Sequence, residues 1–184
     1  MRVIETSLPG VLVIEPAVHR DERGFFLEAY HAAKLEALGI QGKPLQVNQS
    51  RSVRRTLRGL HWQWRRPQAK LVRVLRGEIF DVAVDIRTDS PTFGQWYGCT
   101  LSEENGTQLY IPEGFAHGFL VIGAHALVEY KCTAFYDAAA EGTLLWNDPA
   151  IGIDWPAEPD IVSEKDRAGM ALSEFRMGEL PSVP

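Results

Sequence analysis

A handful of histidines, tyrosines, a lysine and an aspartate stand where they could move protons or hold a ligand. Over Leu57 to Gln63, the two-residue period of a strand puts Leu57, Gly59, His61 and Gln63 on one face. Arg58, Leu60 and Trp62 then take the other face. If the first face is the inner one, His61 and Gln63 enter a cavity together. An imidazole there could serve as a base near neutrality or as a metal ligand. Held by one hydrogen bond, it would equally be a core histidine. Lys70 opens the next strand, a place where lysine is ordinarily solvated. His117 follows the turn Pro112-Glu113-Gly114. Tyr130 and Tyr136 would share a face on one uninterrupted strand, although strands favour aromatic residues in any case. A catalytic use requires at least one of the two hydroxyls to be aimed at a substrate. Asp166, three residues after Ser163, fits a helix capping box, with Lys165 on the same turn, and capping alone would account for it.

Metal chemistry is disfavoured. The stretch YIPEGFAHGF contains P-x-G-x-x-H, which resembles the start of the second motif of the cupins, where the histidine can bind a metal. The first cupin motif would supply His-x-His, and here it reads His61-Trp62-Gln63. His61 and His117 alone are too few for a typical metal site. Cys99 and Cys132 are far apart and form no zinc spacing, so free thiols in a reducing cytosol are expected.

The elements that must carry these residues read mostly as short strands. They cover Val11 to Ile14, Phe25 to Tyr30, Leu45 to Gln49, Leu57 to Trp64, Leu71 to Leu75 and Ile79 to Ile86. Further runs are Trp96 to Leu101, Gln108 to Ile111, Phe115 to Ile122 and Leu127 to Phe135. Gly77 reads as a tight connection between two of them. In the second of that pair, Phe80, Val82, Val84 and Ile86 share a face opposite Asp81 and Asp85. Helical signals are confined to His31 to Gly39 and to the segment after Ser163. Such a series predicts an all-β antiparallel sandwich or barrel, jelly-roll in type, with a few short peripheral helices.

The chain has 184 residues, 45% of them hydrophobic and 23% charged, which fits one globular domain over 1–184 with a sizeable core. A disordered tail or disulfide-stapled mini-protein is excluded. With 19 basic against 24 acidic residues, the net charge of −5 argues against nucleic-acid binding. No apolar run approaches the roughly 20 residues of a membrane span, and the N-terminus lacks a signal-type apolar core, so a cytoplasmic protein without membrane contact is expected.

Taken in order, RDERGFFLE, QVNQS, LRGLHWQ, QAKLVRVLRGEIFDVAVDIR, YIPEGFAHGF, EYKCTAFYDAAAEGTLLWNDPAIGIDWP and SEKD resemble the dTDP-4-dehydrorhamnose 3,5-epimerase family. The resemblance runs from about Val3 past Asp166. It implies a metal-free, cofactor-free cupin-type jelly roll that forms two-fold dimers. It also implies inversion of C3 and C5 of a dTDP-linked 4-keto-6-deoxyhexose through an enolate. By the same resemblance His61 is the base, Asp166 its carboxylate partner, Tyr130 the proton donor on the opposite face, Tyr136 a second tyrosine near the sugar, and Lys70 the group that steadies the enolate oxygen. Arg23 and Arg58 resemble contacts to the diphosphate or sugar, and Phe25 and Phe26 the wall on which thymine packs. Glu28, Gln46, Asn48, His117, Glu141 and Lys165 resemble further polar contacts of the pocket. Trp62 departs from the usual tyrosine or phenylalanine. Three alternatives stay open: a C3-only or C5-only epimerase, a non-catalytic sugar-nucleotide-binding cupin, and a metal cupin.

Overall fold

The computed structural model describes residues 1–40 and 42–175. In chain order the strands are β1 (Arg2–Glu5), β2 (Leu12–Glu15), β3 (Val18–Asp21), β4 (Gly24–Leu27), β5 (Gln46–Val53) and β6 (Thr56–Gln63). They continue as β7 (Lys70–Asp85), β8 (Trp96–Ser102), β9 (Gln108–Ile111), β10 (Phe115–Cys132), β11 (Glu141–Thr143) and β12 (Ile161–Val162). Two short helices, α1 (Ala32–Ala37) and α2 (Glu164–Arg167), sit at the periphery.

Two long strands organise the sheet. β7 has 16 residues and β10 has 18, and they run antiparallel side by side. Each changes its outer neighbour halfway. β7 pairs β9 through Lys70–Arg73 and β8 through Glu78–Val84. β10 pairs β6 near its start and β5 from His125 to Cys132. The ten-stranded sheet is thereby rolled on itself, while β3 and β4 form a separate hairpin. This is a jelly roll, as the strand series predicts, and of the cupin type that the resemblance implies.

Four expected strands are in fact two. Gly77 is not a turn but a residue inside β7, paired with Ala126; β7 bulges beside it at Leu75, and the pairing with β10 slips again between Val121 and Ala126. The Gly77 φ of +80° suits glycine, and a Cβ there would lie 1.8 Å from the His125 carbonyl oxygen. A bulge and a turn demand the same residue, so the sequence alone does not separate them. β5 also extends further than the alternation suggests, to Val53, and β1, β3, β11 and β12 are added.

The expected faces hold where no bulge intervenes. Phe80, Val82, Val84 and Ile86 pack outward with Leu60, Trp62 and Leu144. Ile79 and Ala83 face the barrel interior with Val72, Val74, Leu101 and Phe119. A third cluster seats Leu35 of α1 on Ile14, Leu71 and Tyr110. Each fully buried Leu, Ile or Phe in these clusters contributes about 1.5–3 kcal/mol through burial. His31 caps α1 by accepting from Lys34 N–H at 3.4 Å, and Gly39 follows the helix at φ +82°. Among the described residues no helix is long and apolar enough to cross a membrane.

Candidate active site

Gly59 is where β6 acquires its chemistry. Arg58 pairs with Phe119 of β10, yet His61 pairs with His117, so β6 holds one residue more than its partner across this interval. Strict alternation would put Arg58 opposite His61. The bulge instead turns both to one face of the strand, because Phe119 and His117 share a face. A Cβ on Gly59, which has φ +115°, would come within 2.6 Å of Gly118 Cα and 2.7 Å of the His117 carbonyl oxygen. Gly59→Ala is expected to cost about 2–4 kcal/mol of stability, read by thermal or denaturant unfolding, since backbone rather than a flexible side chain blocks the methyl.

The bulge also frees an N–H. Gly59 donates it to Asp166 Oδ2 at 3.3 Å, and His61 Nε2 lies 2.6 Å from Asp166 Oδ1. Asp166 is buried at the start of α2, whose cap is Ser163, accepting from the Asp166 N–H at 3.1 Å. The capping serine thus holds the aspartate backbone while the carboxylate turns inward. Burial pushes the Asp166 carboxyl up, but bonds from His61, Gly59 and Ser163 outweigh it and hold the group below its ordinary value. An ionised Asp166 fixes the proton on Nε2 and leaves Nδ1 as the ring nitrogen open to a ligand.

His61 shares a small pocket of about 90 Å³ with Lys70, Tyr130, Tyr136, Asn48 and Glu141. Lys70 Nζ donates to the His61 carbonyl oxygen at 3.5 Å. Burial pushes this ammonium below its ordinary value. Tyr130 on β10 is pushed up, first by burial, so its phenol keeps its proton at neutral pH. The Arg58 guanidinium acts on Tyr130 in the opposite direction and is tied to Ser52 Oγ at 2.9 Å. An imidazole, a phenol and an ammonium around one pocket can abstract a proton from carbon, return one, and steady an oxyanion between the two steps.

The pocket mouth is bridged. Tyr136 Oη donates to Glu141 Oε2 at 2.9 Å, and Lys165 Nζ of α2 bonds the same carboxylate. Burial pushes the Glu141 carboxyl up, yet these two donors outweigh it and hold it below its ordinary value. The Tyr136 backbone N–H donates to Gln46 Oε1 at 2.9 Å, and Gln46 in turn donates to Asn48 Oδ1 at 2.9 Å. His117 is buried behind His61 and bonds Asp81 Oδ1 through Nε2 at 2.8 Å. Among the described residues no cluster of three or more His, Cys, Asp or Glu is placed to hold a metal.

Not every expected residue reaches this pocket. Tyr136 lies past the end of β10, so it does not share a strand with Tyr130, contrary to the even spacing. Arg23 pairs with Asp21 at 2.5 Å at the hairpin turn, and Glu28 pairs with Lys34 at 2.7 Å. Phe25 and Phe26 are 54% and 70% exposed. They line a separate hollow of about 350 Å³ with Arg73 and Glu103, which shares no residue with the His61 pocket. A larger cleft of about 470 Å³ lies beside α1, but of the acid–base residues only Lys70 borders it.

Two contributors were not singled out as site residues. Gln63 donates to the carbonyls of Arg66 and Phe135 at 2.7 and 3.2 Å and accepts the Asp137 N–H at 2.9 Å. Gln68 donates to the Ala134 carbonyl at 2.8 Å. Both anchor the segment that carries Tyr136. The inward face of Gln63 is readable from alternation; its partners Phe135 and Asp137, some 70 residues away, are not.

The chain resembles known proteins over nearly its whole length. A sequence model of the dTDP-4-dehydrorhamnose 3,5-epimerase family matches residues 5–174. The dTDP-4-dehydrorhamnose 3,5-epimerase of Methanothermobacter thermautotrophicus is 52% identical over 176 residues, covering 94% of this chain and 95% of that one. That of Salmonella typhimurium is 50% identical, covering 97% of this chain and 100% of the other. A dTDP-6-deoxy-D-glucose-3,5-epimerase of Legionella pneumophila, solved with dTDP-4-keto-L-rhamnose, superposes with a TM-score of 0.95 at 47% identity, covering 100% of this chain and 98% of that one. The chain described here belongs to the dTDP-4-dehydrorhamnose 3,5-epimerase family.

Proposed function

We propose that this protein converts dTDP-4-dehydro-6-deoxy-D-glucose into dTDP-4-dehydro-L-rhamnose by inverting C3 and C5. Both carbons flank the C4 ketone, so loss of either proton gives an enolate whose charge rests largely on the C4 oxygen. His61 takes the proton at Nδ1, while Asp166 stabilises the imidazolium through Nε2. Tyr130 returns a proton from the other face. Lys70 steadies the enolate oxygen, and Tyr136 stands near the sugar as a second phenol. Gln46, Asn48, Arg58, His117, Glu141 and Lys165 hold the nucleotide and hexose. The observation that carries the reading is half-buried His61, paired with buried Asp166 and opening on the same pocket as Tyr130 and Lys70.

The same reading makes the protein a homodimer acting as one cupin-like unit over residues 1–184. Arg23, Phe25, Phe26 and Glu28, the set that resembles nucleotide contacts, sit on or beside a detached hairpin outside this chain's own pocket. A second copy is the arrangement that lets them approach a pocket, that of the partner. A nucleotide-sugar substrate and two free cysteines fit the cytoplasm.

Turnover in D₂O tests the function. Mass spectrometry of the product should show two deuterons, one at each inverted carbon. One deuteron would support a single-carbon epimerase, and none, with the ligand bound, a non-catalytic binding module.

A further inference from the structure

Tyr136 is held in place with little packing. It is 54% exposed and its neighbour Phe135 56%, so apolar burial does not fix the segment that carries them. A strand ladder does not fix it either, because the segment lies between β10 and β11 and belongs to neither. Side-chain amides do the holding. Gln46 on β5 accepts the Tyr136 N–H at 2.9 Å, and Gln68 donates to the Ala134 carbonyl oxygen at 2.8 Å. Gln63, the last residue of β6, takes the residues on either side of Tyr136. It donates to the Phe135 carbonyl oxygen at 3.2 Å and accepts the Asp137 N–H at 2.9 Å.

Gln63 is buried and pairs across the sheet with Glu141, whose carboxylate accepts the Tyr136 hydroxyl. The strand position of this one residue and its side chain thus support both ends of the Tyr136–Glu141 bond. The amide nitrogen also donates to the Arg66 carbonyl oxygen at 2.7 Å, which ties the segment to the connection between β6 and β7. With both amide protons engaged by backbone, Gln63 borders the His61 pocket with no donor left for a sugar. The side-chain type is demanding. Asparagine carries the same amide on a shorter stem, an ionised glutamate has no donor, and a neutral histidine has one donor and one acceptor. This is also the position where the first cupin motif would place its second histidine.

We propose that Gln63 is a positioning residue for the epimerisation: by splinting Phe135 and Asp137 it holds the Tyr136 phenol, bonded to Glu141, at the mouth of the His61 pocket, where it meets the hexose. This rests on the place given to Tyr136 near the sugar. Without the splint, a segment with little buried surface loses two of its restraints. A displacement of about 1 Å in a group that orients substrate can cost on the order of 10²-fold in rate.

A double-mutant cycle is the test. Gln63→Leu should lower kcat for the doubly inverted product by roughly 10- to 100-fold in the otherwise unaltered protein. In a Tyr136→Phe background, which has already lost the bond to Glu141, the same substitution should change kcat by less than about twofold. Equal losses in the two backgrounds overturn the proposal, because a merely structural glutamine acts whether or not the phenol is there. An unchanged kcat in Gln63→Leu overturns it as well. Gln63→Glu keeps the shape and the acceptor for Asp137 while its ionised form lacks both donors, and it runs through the same cycle with the same outcomes. Hydrogen exchange of the unaltered protein depends on no variant's folding. The Tyr136 and Asp137 amides should exchange slowly although their segment is exposed, and exchange at the rate of an open loop contradicts the splint. Wild-type deuterium wash-in is the control for the function itself. Its absence would sink the catalytic reading, whereas its presence with equal losses in the cycle sinks only the role of Gln63.

Discussion

Replacing His61 with alanine should lower turnover by roughly 10²–10⁴-fold or more, the range for loss of a general base, while dTDP binds almost as before. The asymmetry follows from position. His61 contacts Asp166 and lines the small pocket with Tyr130, whereas Arg23, Phe25 and Phe26, the residues read as diphosphate and thymine contacts, lie outside that pocket. Deuterium wash-in at C3 and at C5 should fall together, because one imidazole serves both carbons. Calorimetry with dTDP separates the outcomes. Equal loss of binding and turnover would make His61 a structural residue, and undiminished wash-in at one carbon would assign that carbon to another base.

Tyr130→Phe should lower formation of the inverted product by a similar factor, roughly 10²-fold or more. Its phenol is held protonated by burial, which suits a donor. Tyr136 is badly placed to replace it: more than half exposed, it already donates its hydroxyl to Glu141. The variant should also uncouple two events that the wild type joins. His61 can still remove a proton and return a deuteron from the same face, so wash-in with retained configuration should exceed inversion. This is read by mass spectrometry together with NMR of the recovered sugar. An unchanged rate of inversion would move the donor role to Tyr136 or to water.

The alternating faces of Ile79 to Ile86 follow from period alone, and they pack as the pattern requires. Local rules failed where a glycine could mean two things. Gly77 lies beside a bulge and Gly59 within one, and each bulge reverses what strict alternation predicts next. The Gly59 bulge matters for function, because it brings Arg58 to the face of His61 and offers its N–H to Asp166. The bland reading of Asp166 as a cap is right for its backbone and wrong for its carboxylate, since Ser163 accepts the N–H while His61 takes the side chain. That pairing spans 105 residues, so only the family motifs, and not any local spacing, could bring it forward. The full burial of Asp81 is hidden in the sequence for a similar reason. On its strand it is one more alternating polar residue, and nothing before the closing of the barrel shows that its side is the dry one.

The most direct test of the account is a crystal structure of the protein with dTDP-4-keto-L-rhamnose. The hexose should lie between His61 Nδ1 and the Tyr130 hydroxyl, one on each face of the ring, with the C4 oxygen toward Lys70. A hexose with both groups on one face, or one seated in the cleft beside α1, would contradict it.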